Sequence, residues 1–340
     1  MPVPPITADA VWWDRRFRLS PDLTLERSLT TVRGMDAAAI RQVRSFNRTV
    51  AERLGALNDR FLRRGRPMGE ARLLWEIGPD GVELRQLRHR LNLDSGYLSR
   101  ALHSLEGQGL VTVRSSRDDG RVRRASLTKA GLNERAELDR LSDALALRIL
   151  GSLSQRQRLA LVAAMGEVER LLQASMVSFA IEDPTTADAK WCFSQFFAEL
   201  DARFETGFDP ALSISADARE LTPPAGLLVV ARLRGSPVGC GAIKFHGERP
   251  AELKRMWIAP TARGLGVGRR LLAELEHQAR KAGVKVLRLE TNRALIEAIE
   301  LYTRSGYREV DAFSSEPYAH HWFEKRLGAI RSVGQASSRR

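Results

Sequence analysis

Apolar side chains recur at three- and four-residue spacing through the first half of the chain. Ile40, Val43, Phe46, Val50, Leu54 and Leu57 form one apolar stripe, predicting an amphipathic helix that Asp36 is suited to cap. GEARLLWEI predicts a second helix, closed by the turn GPDG. VELRQLRHRLN and SGYLSRALHSLEGQG predict two short helices separated by LDS. The period then changes. LVTVRSS, RDDGR and VRRASLT read as strand, turn and strand. Long helices return from Lys129 to Ser175, with Leu138, Leu141, Leu145, Ile149, Leu161, Val168, Leu171 and Leu172 as apolar positions.

After Met176 strands and helices mix. VSFAIED predicts a strand, TADAKWCFSQFFAELDARF a helix, and GLLVVARL, VGCGAIKFH and AELKRMWIA three consecutive strands. A glycine loop and a leucine-patterned helix follow, then strand VKVLRLE, helix LIEAIELYTRSG and short strands YREV and HHWFEKRL. This order implies two domains: a mostly-α domain with one hairpin over residues 35–176, then an α+β domain with a mixed central sheet over residues 177–329. Residues 1–34 carry prolines, charges and the pair Trp12–Trp13 without a sustained period. They are expected to be a disordered extension, or to precede a true start at Met35. The tail 330–340 is expected to be flexible.

Composition adds a partner class. The 340 residues carry a formal net charge of +13, mostly as arginine. That bias suggests phosphate-bearing partners, nucleic acid first, although a codon preference for arginine would produce it too. Cys192 and Cys240 are too few for a disulfide framework or a cysteine-based zinc site, so no metal is expected and a reducing cytoplasm fits. No apolar run approaches the ~18 residues of a membrane span. The first residues, MPVPPITADAVWWDRRF, lack the apolar core of a secretory signal.

Two short helices joined by a tight turn, then an arginine-rich hairpin, make a winged helix-turn-helix arrangement. Asp94 can cap the second helix, and Gly107 or Gly109 can end it. Ser95, Tyr97, Ser99 and Arg100 lie near its N-terminal end, while Leu98, Leu102 and Leu105 share the opposite face. A helix entering the major groove needs that division between apolar anchors and polar donors. The hairpin carries Arg114, Arg117, Arg121, Arg123 and Arg124. From Leu84 to Thr128 nine arginines face Asp94, Glu106, Asp118 and Asp119, a local net of +5. Such a hairpin can clamp phosphates or enter the minor groove. On LDSGYLSRALHSLEGQGLV and RSSRDDGRVRRASLTKAG, residues 36–175 resemble the MarR family of bacterial regulators. The resemblance implies a homodimer joined through its first and last helices, a groove-reading helix at 95–107, a wing at 114–124 and a palindromic double-stranded DNA operator.

In the glycine loop, TARGLGVGRRLL, a dinucleotide fingerprint fails because Arg269 stands where a third glycine is needed, and a P-loop lacks its Gly-Lys-Ser/Thr. Arg-x-x-Gly-x-Gly fits, at Arg263, Gly266 and Gly268. Without Cβ atoms at Gly264, Gly266 and Gly268 the backbone N–H groups can approach a pyrophosphate, and the next helix aims its positive end there. With strand ELKRMWI before it and LETNRALIEAIELYTRSGYREV after it, the segment 178–328 resembles the GNAT acetyltransferase superfamily. The resemblance implies acetyl-CoA bound along Met256, Trp257, Ile258, Arg263, Gly264, Leu265, Gly266, Val267, Gly268, Arg269 and Asn292. It implies Tyr302 as the acid that protonates the departing thiolate and Glu252 as the base, with His246 a further candidate. A core tyrosine and an exposed strand glutamate are the plainer alternatives for Tyr302 and Glu252. The expectation is therefore a DNA-binding regulator joined to an N-acetyltransferase of an unidentified amine. A regulator that only senses acetyl-CoA, or an enzyme whose winged domain serves dimerisation, remains open.

Overall fold

The computed structural model describes residues 37–55, 62, 64–115, 122–214 and 216–328. The extension 1–34, Met35, the Asp36 cap, Leu57, the turn residues Arg117, Asp118, Asp119 and Arg121, and the tail 330–340 lie outside the described residues. The chain divides into two compact units between Ala163 and Ala164.

The first unit contains α1 (Ala37–Leu54), α2 (Met68–Ile77), β1 (Val82–Glu83), α3 (Leu84–Leu91), α4 (Ser95–Gly107), β2 (Val111–Ser115), β3 (Arg123–Leu127) and α5 (Lys129–Gly151). Helix α6 (Gln155–Ser175) crosses the division. It begins at a capping box in which the Gln157 backbone N–H donates to Ser154 Oγ and Gln157 Oε1 accepts from the Ser154 backbone N–H. The sequence pattern carried a helix through Val82 and Glu83, but both pair with β3, opposite Ala125 and Arg124. Burying the β-branched Val82 in the core while occupying an otherwise open edge of β3 outweighs helical propensity there. The core gathers Leu73, Leu74, Leu87, Leu98, Leu102, Leu105 and Leu138. By contrast, Ile40, Val43, Phe46, Val50 and Leu54 of α1 and Leu159, Val162, Met165, Leu171 and Leu172 of α6 are exposed.

The second unit is a seven-stranded sheet in the order β4-β5-β6-β7-β8-β10-β9. Its elements are β4 (Val177–Glu182), α7 (Ala187–Arg203), β5 (Gly226–Leu233), β6 (Ser236–His246), β7 (Arg249–Ile258), α8 (Val267–Lys281), β8 (Val286–Thr291), α9 (Ile296–Arg304), β9 (Arg308–Val310) and β10 (His321–Arg326). Side chains of β5 alternate between two cores. Leu228 and Val230 join Ala189 and Cys192 of α7, whereas Leu227 and Val229 join Leu271 and Leu275 of α8. Leu271, Leu272 and Leu275 are almost wholly buried, and each contributes about 1.5–3 kcal/mol by leaving water. All neighbours in the sheet are antiparallel except β7 and β8.

That parallel pair positions the site. It is matched only at Ala251–Leu287 and Glu252–Arg288, so β7 from Leu253 onward has no ladder partner in β8. The same stretch bulges against β6, where one residue of β6 opposes Arg255 and Met256 together. Arg255 takes a φ of 52° at the bulge, and its carbonyl accepts from Cys240 Sγ at 3.3 Å. The bulge and the missing ladder open a wedge in the middle of the sheet.

Candidate functional site

Two cavities occupy the wedge and share Phe196, Leu200, Met256, Leu295, Ala298 and Tyr302 in their walls. The first runs past Met256, Trp257, Ile258, Arg263, Gly264, Gly266, Val267, Gly268 and Arg269. Nine of the eleven residues expected at the cofactor are therefore brought together. Leu265 is buried beneath the loop, and Asn292 lines the second cavity instead. Asn292 donates through Nδ2 to the Tyr318 carbonyl at 2.8 Å and accepts from the Ala294 N–H at 2.9 Å, which folds the turn between β8 and α9.

The loop geometry fits a pyrophosphate. Gly264 and Gly266 have φ of 76° and 70°, a left-handed conformation that costs L-residues energy, and a Cβ built on either would point into open space. Gly266 is the N-cap of α8 and offers no side-chain acceptor, and no acidic residue lies in the first turn. The first helical N–H groups and the positive end of the dipole are thus available to an anion. Arg263 is committed elsewhere: its guanidinium donates to the Ile258 carbonyl at 3.0 Å and pairs with Glu199. Glu199 on α7 also accepts from Trp257 Nε1 at 2.9 Å and pairs with Arg203. It anchors the loop, and the helical pattern of α7 gives no sign of that role. Arg269, exposed in the first turn of α8, lines the cavity.

The second cavity is walled by aromatic rings and holds Lys254, Arg255, Glu290 and Glu316. Tyr302 is 6% exposed, lies on both cavities, and burial pushes its phenol well above the ordinary value. Glu252 does not line either cavity. Its carboxylate lies 3.2 Å from His246 Nε2 and 3.1 Å from Lys254 Nζ. Lys254 bridges Glu252 to Glu290, and Glu290 also accepts from Ser314 Oγ at 2.8 Å. Burial alone would lower the Lys254 ammonium, but the Glu290 and Glu252 carboxylates outweigh it and hold it above the ordinary lysine value. Glu290 is a candidate that sequence reasoning missed. Its only signal is alternation in VLRLET, which aims it away from the buried Leu287 and Leu289.

In the first unit, the Asp94 carboxylate accepts from the Tyr97 N–H at 2.8 Å and caps α4. Leu98, Leu102 and Leu105 are buried, and Ser95, Ser99 and Arg100 are exposed. Tyr97 is half-buried, its hydroxyl where a Cβ on Gly69 of α2 would stand. A groove collects Ser95, Ser99, His103 and Arg123 with Arg85 and Arg88 of α3. Arg114 is exposed on β2 opposite Arg124, whose guanidinium turns to the Asp80 carbonyl at 2.6 Å. Arg117 and Arg121 lie outside the described residues.

Residues 191–307 match the acetyltransferase (GNAT) family and residues 65–122 match the MarR family. An IAA acetyltransferase of Azospirillum brasilense is 38% identical over 125 residues, which is 36% of this chain and 80% of that protein. The chain belongs to the GNAT acetyltransferase family. N-alpha-acetyltransferase RimI of Mycobacterium tuberculosis is 37% identical over 37% of this chain and 76% of that protein. A solved GNAT family acetyltransferase from Elizabethkingia anophelis with acetyl-CoA bound is 17% identical, covers 45% of this chain and 99% of its own, and has a TM-score of 0.35. This GNAT protein is an N-acetyltransferase that uses acetyl-CoA, and a segment that matches the MarR family precedes its acetyltransferase domain. Among the described residues no group of three or more His, Cys, Asp or Glu side chains is placed to hold a metal, and no helix is long and apolar enough to cross a membrane.

Proposed function

We propose that this chain is bifunctional, a homodimeric DNA-binding regulator joined to an acetyltransferase of a primary amine. The observation that carries the enzymatic half is the meeting of the two cavities at Met256 and Tyr302. Reactants held in the two cavities would be brought together there, and positioning is most of what an activated acyl donor requires. Acetyl-CoA supplies that activated thioester when bound. Backbone N–H groups of β7 between Met256 and Ile258, released from pairing with β8, polarise its carbonyl. Glu290 takes the proton that the amine must shed, directly or through water, and Lys254 holds that carboxylate in place. Tyr302 donates its phenolic proton to the departing sulfur. Its raised pKa keeps that proton available through the physiological range. Glu252 reaches the cavity only through Lys254 and acts as the second carboxylate fixing that ammonium.

The groove of Arg85, Arg88, Ser95, Ser99 and Arg123 supports the DNA half, since it sets short donors of α4 among guanidinium groups. The exposed apolar faces of α1 and α6 support a homodimer, whose two-fold axis would match a palindromic operator. The test pairs two assays on one preparation. Mass spectrometry follows acetylation across an amine panel, and gel-shift titration at two salt concentrations follows a fragment of the adjoining promoter. An acetylated amine together with salt-dependent, sequence-preferring DNA binding is the expected result. Acetyl-CoA binding without turnover of any amine would leave a sensor, and turnover without DNA binding would leave an enzyme alone.

A further inference from the structure

The second cavity restricts what the acceptor can be, if the acetyltransferase assignment above is right. Four half-buried rings form part of its wall. Phe197 stacks on Phe208 at 5.7 Å and 13°, Phe208 meets Tyr318 at 4.8 Å, and Phe204 touches both Phe208 and Tyr318. Polar groups around these rings are used by the frame itself. Glu316 accepts from Ser213 Oγ at 3.0 Å and from the Ile214 N–H at 2.6 Å, latching the segment before β5 to the one before β10. The Tyr318 hydroxyl accepts from the Asp209 N–H at 2.9 Å. Arg255 donates to the Ala216 carbonyl and lies 4.4 Å from the Phe193 ring centre and 5.3 Å from that of Phe197. An acceptor with many hydroxyls would meet few groups able to replace its water.

Charge narrows the class further. Lys254 and Arg255 balance Glu290 and Glu316, so the lining has no surplus negative charge to compensate a polycation. What remains is an aromatic surface that also carries the Glu290 carboxylate, whose Oε1 pairs with Lys254 and whose Oε2 accepts from Ser314 Oγ. Flat rings reward a flat ligand, and their faces attract an incoming ammonium.

We propose that the acceptor is an arylalkyl monoamine, with its ring against Phe197, Phe208 and Tyr318 and its amino group toward Glu290. Polyamines and amino sugars are poor acceptors on this proposal. In the reaction the amine nitrogen bonds to the acetyl carbon as the carbon–sulfur bond breaks. The arriving ammonium first gives one proton to Glu290, which passes it to water. The sulfur leaves as the thiol with the Tyr302 proton, and the second nitrogen proton, shed as the amide forms, returns through water to the Tyr302 phenolate.

The test measures binding and turnover separately on the full chain. Calorimetry on the protein saturated with CoA compares phenethylamine and tryptamine with n-butylamine, spermidine and kanamycin, and steady-state acetylation is run on the same amines. The arylalkylamines should bind about tenfold more tightly than n-butylamine, the value of one or two well-formed ring contacts. Phe208→Leu keeps apolar volume but removes the flat face, and should reduce that preference several-fold. Phe208→Ala should reduce it further. Arylalkylamine binding without acetylation would uphold the cavity chemistry and reject the enzymatic assignment. Equal or tighter binding of n-butylamine, spermidine or kanamycin would overturn the proposal, whether or not any amine is acetylated.

Discussion

Gly266 offers a clean perturbation of the cofactor loop, because steric and conformational effects can be separated there. Its φ of 70° is left-handed, and a Cβ at this position meets no protein atom within 4 Å. Replacement by Val therefore creates no internal clash, and its cost is that of holding an L-residue in this conformation, ~1–2 kcal/mol and somewhat more for a branched side chain. In a domain of this size that cost lowers the melting midpoint by roughly 2–8 °C, leaving the fold intact. Gly266→Asn tolerates the same backbone far better, so its midpoint should barely move. Both side chains project into the space above the N-terminus of α8, where the pyrophosphate would lie. Both variants should therefore lose acetyl-CoA binding in calorimetry, although only Val pays appreciably in stability. The result that refutes the reasoning is Gly266→Asn with wild-type affinity, which would put the phosphates somewhere other than this loop.

Tyr302→Phe keeps the packing of the ring and removes the hydroxyl, so turnover should fall about 10²-fold with acetyl-CoA affinity unchanged; a preserved rate would assign thiolate protonation to water. Because burial raises the Tyr302 phenol, the rate should show no alkaline loss from its ionisation up to the ordinary tyrosine pKa of 10.0, and a fall below that pH in the wild type but not in Tyr302→Phe would contradict the placement. Arg100→Ala should cost about 1–3 kcal/mol at one operator position and relax its preference, whereas Arg123→Ala should weaken all sequences evenly and flatten the salt slope by about one unit in gel-shift titrations. In the first unit, Glu134 is bound by Arg64 and Arg66, and the Arg64 hydrogen bond is the chief cause that holds its carboxyl below the ordinary value. A lowered folded pKa gives stability that is present above the unfolded pKa and is lost as pH falls through the folded one, so Glu134→Gln should flatten the acid limb of the unfolding profile; an unaltered limb would show that the pair contributes nothing.

Much of this molecule could be read along the chain. Periodicity located the helices and strands, because an amphipathic segment must turn one face inward wherever it packs, and that requirement is local. The cap at Asp94 and the loop at Gly264 and Gly266 were legible for the same reason, since a cap and a left-handed turn need particular residues at particular offsets. Val82 and Glu83 were not, because only the neighbouring strand β3 makes them a strand. The site shows the same division. The loop that faces the first cavity was visible in sequence, whereas Glu290, Glu199 and the rings of Phe197, Phe204, Phe208 and Tyr318 were not. These residues are separated by up to 121 positions and look like ordinary helix, strand and loop residues. Splaying of β7 from β8 and the bulge at Arg255 bring them around the two adjoining cavities. Which carboxylate lines the second cavity, and which merely pairs with a lysine that lines it, depends on that opening, and no spacing along the chain encodes it.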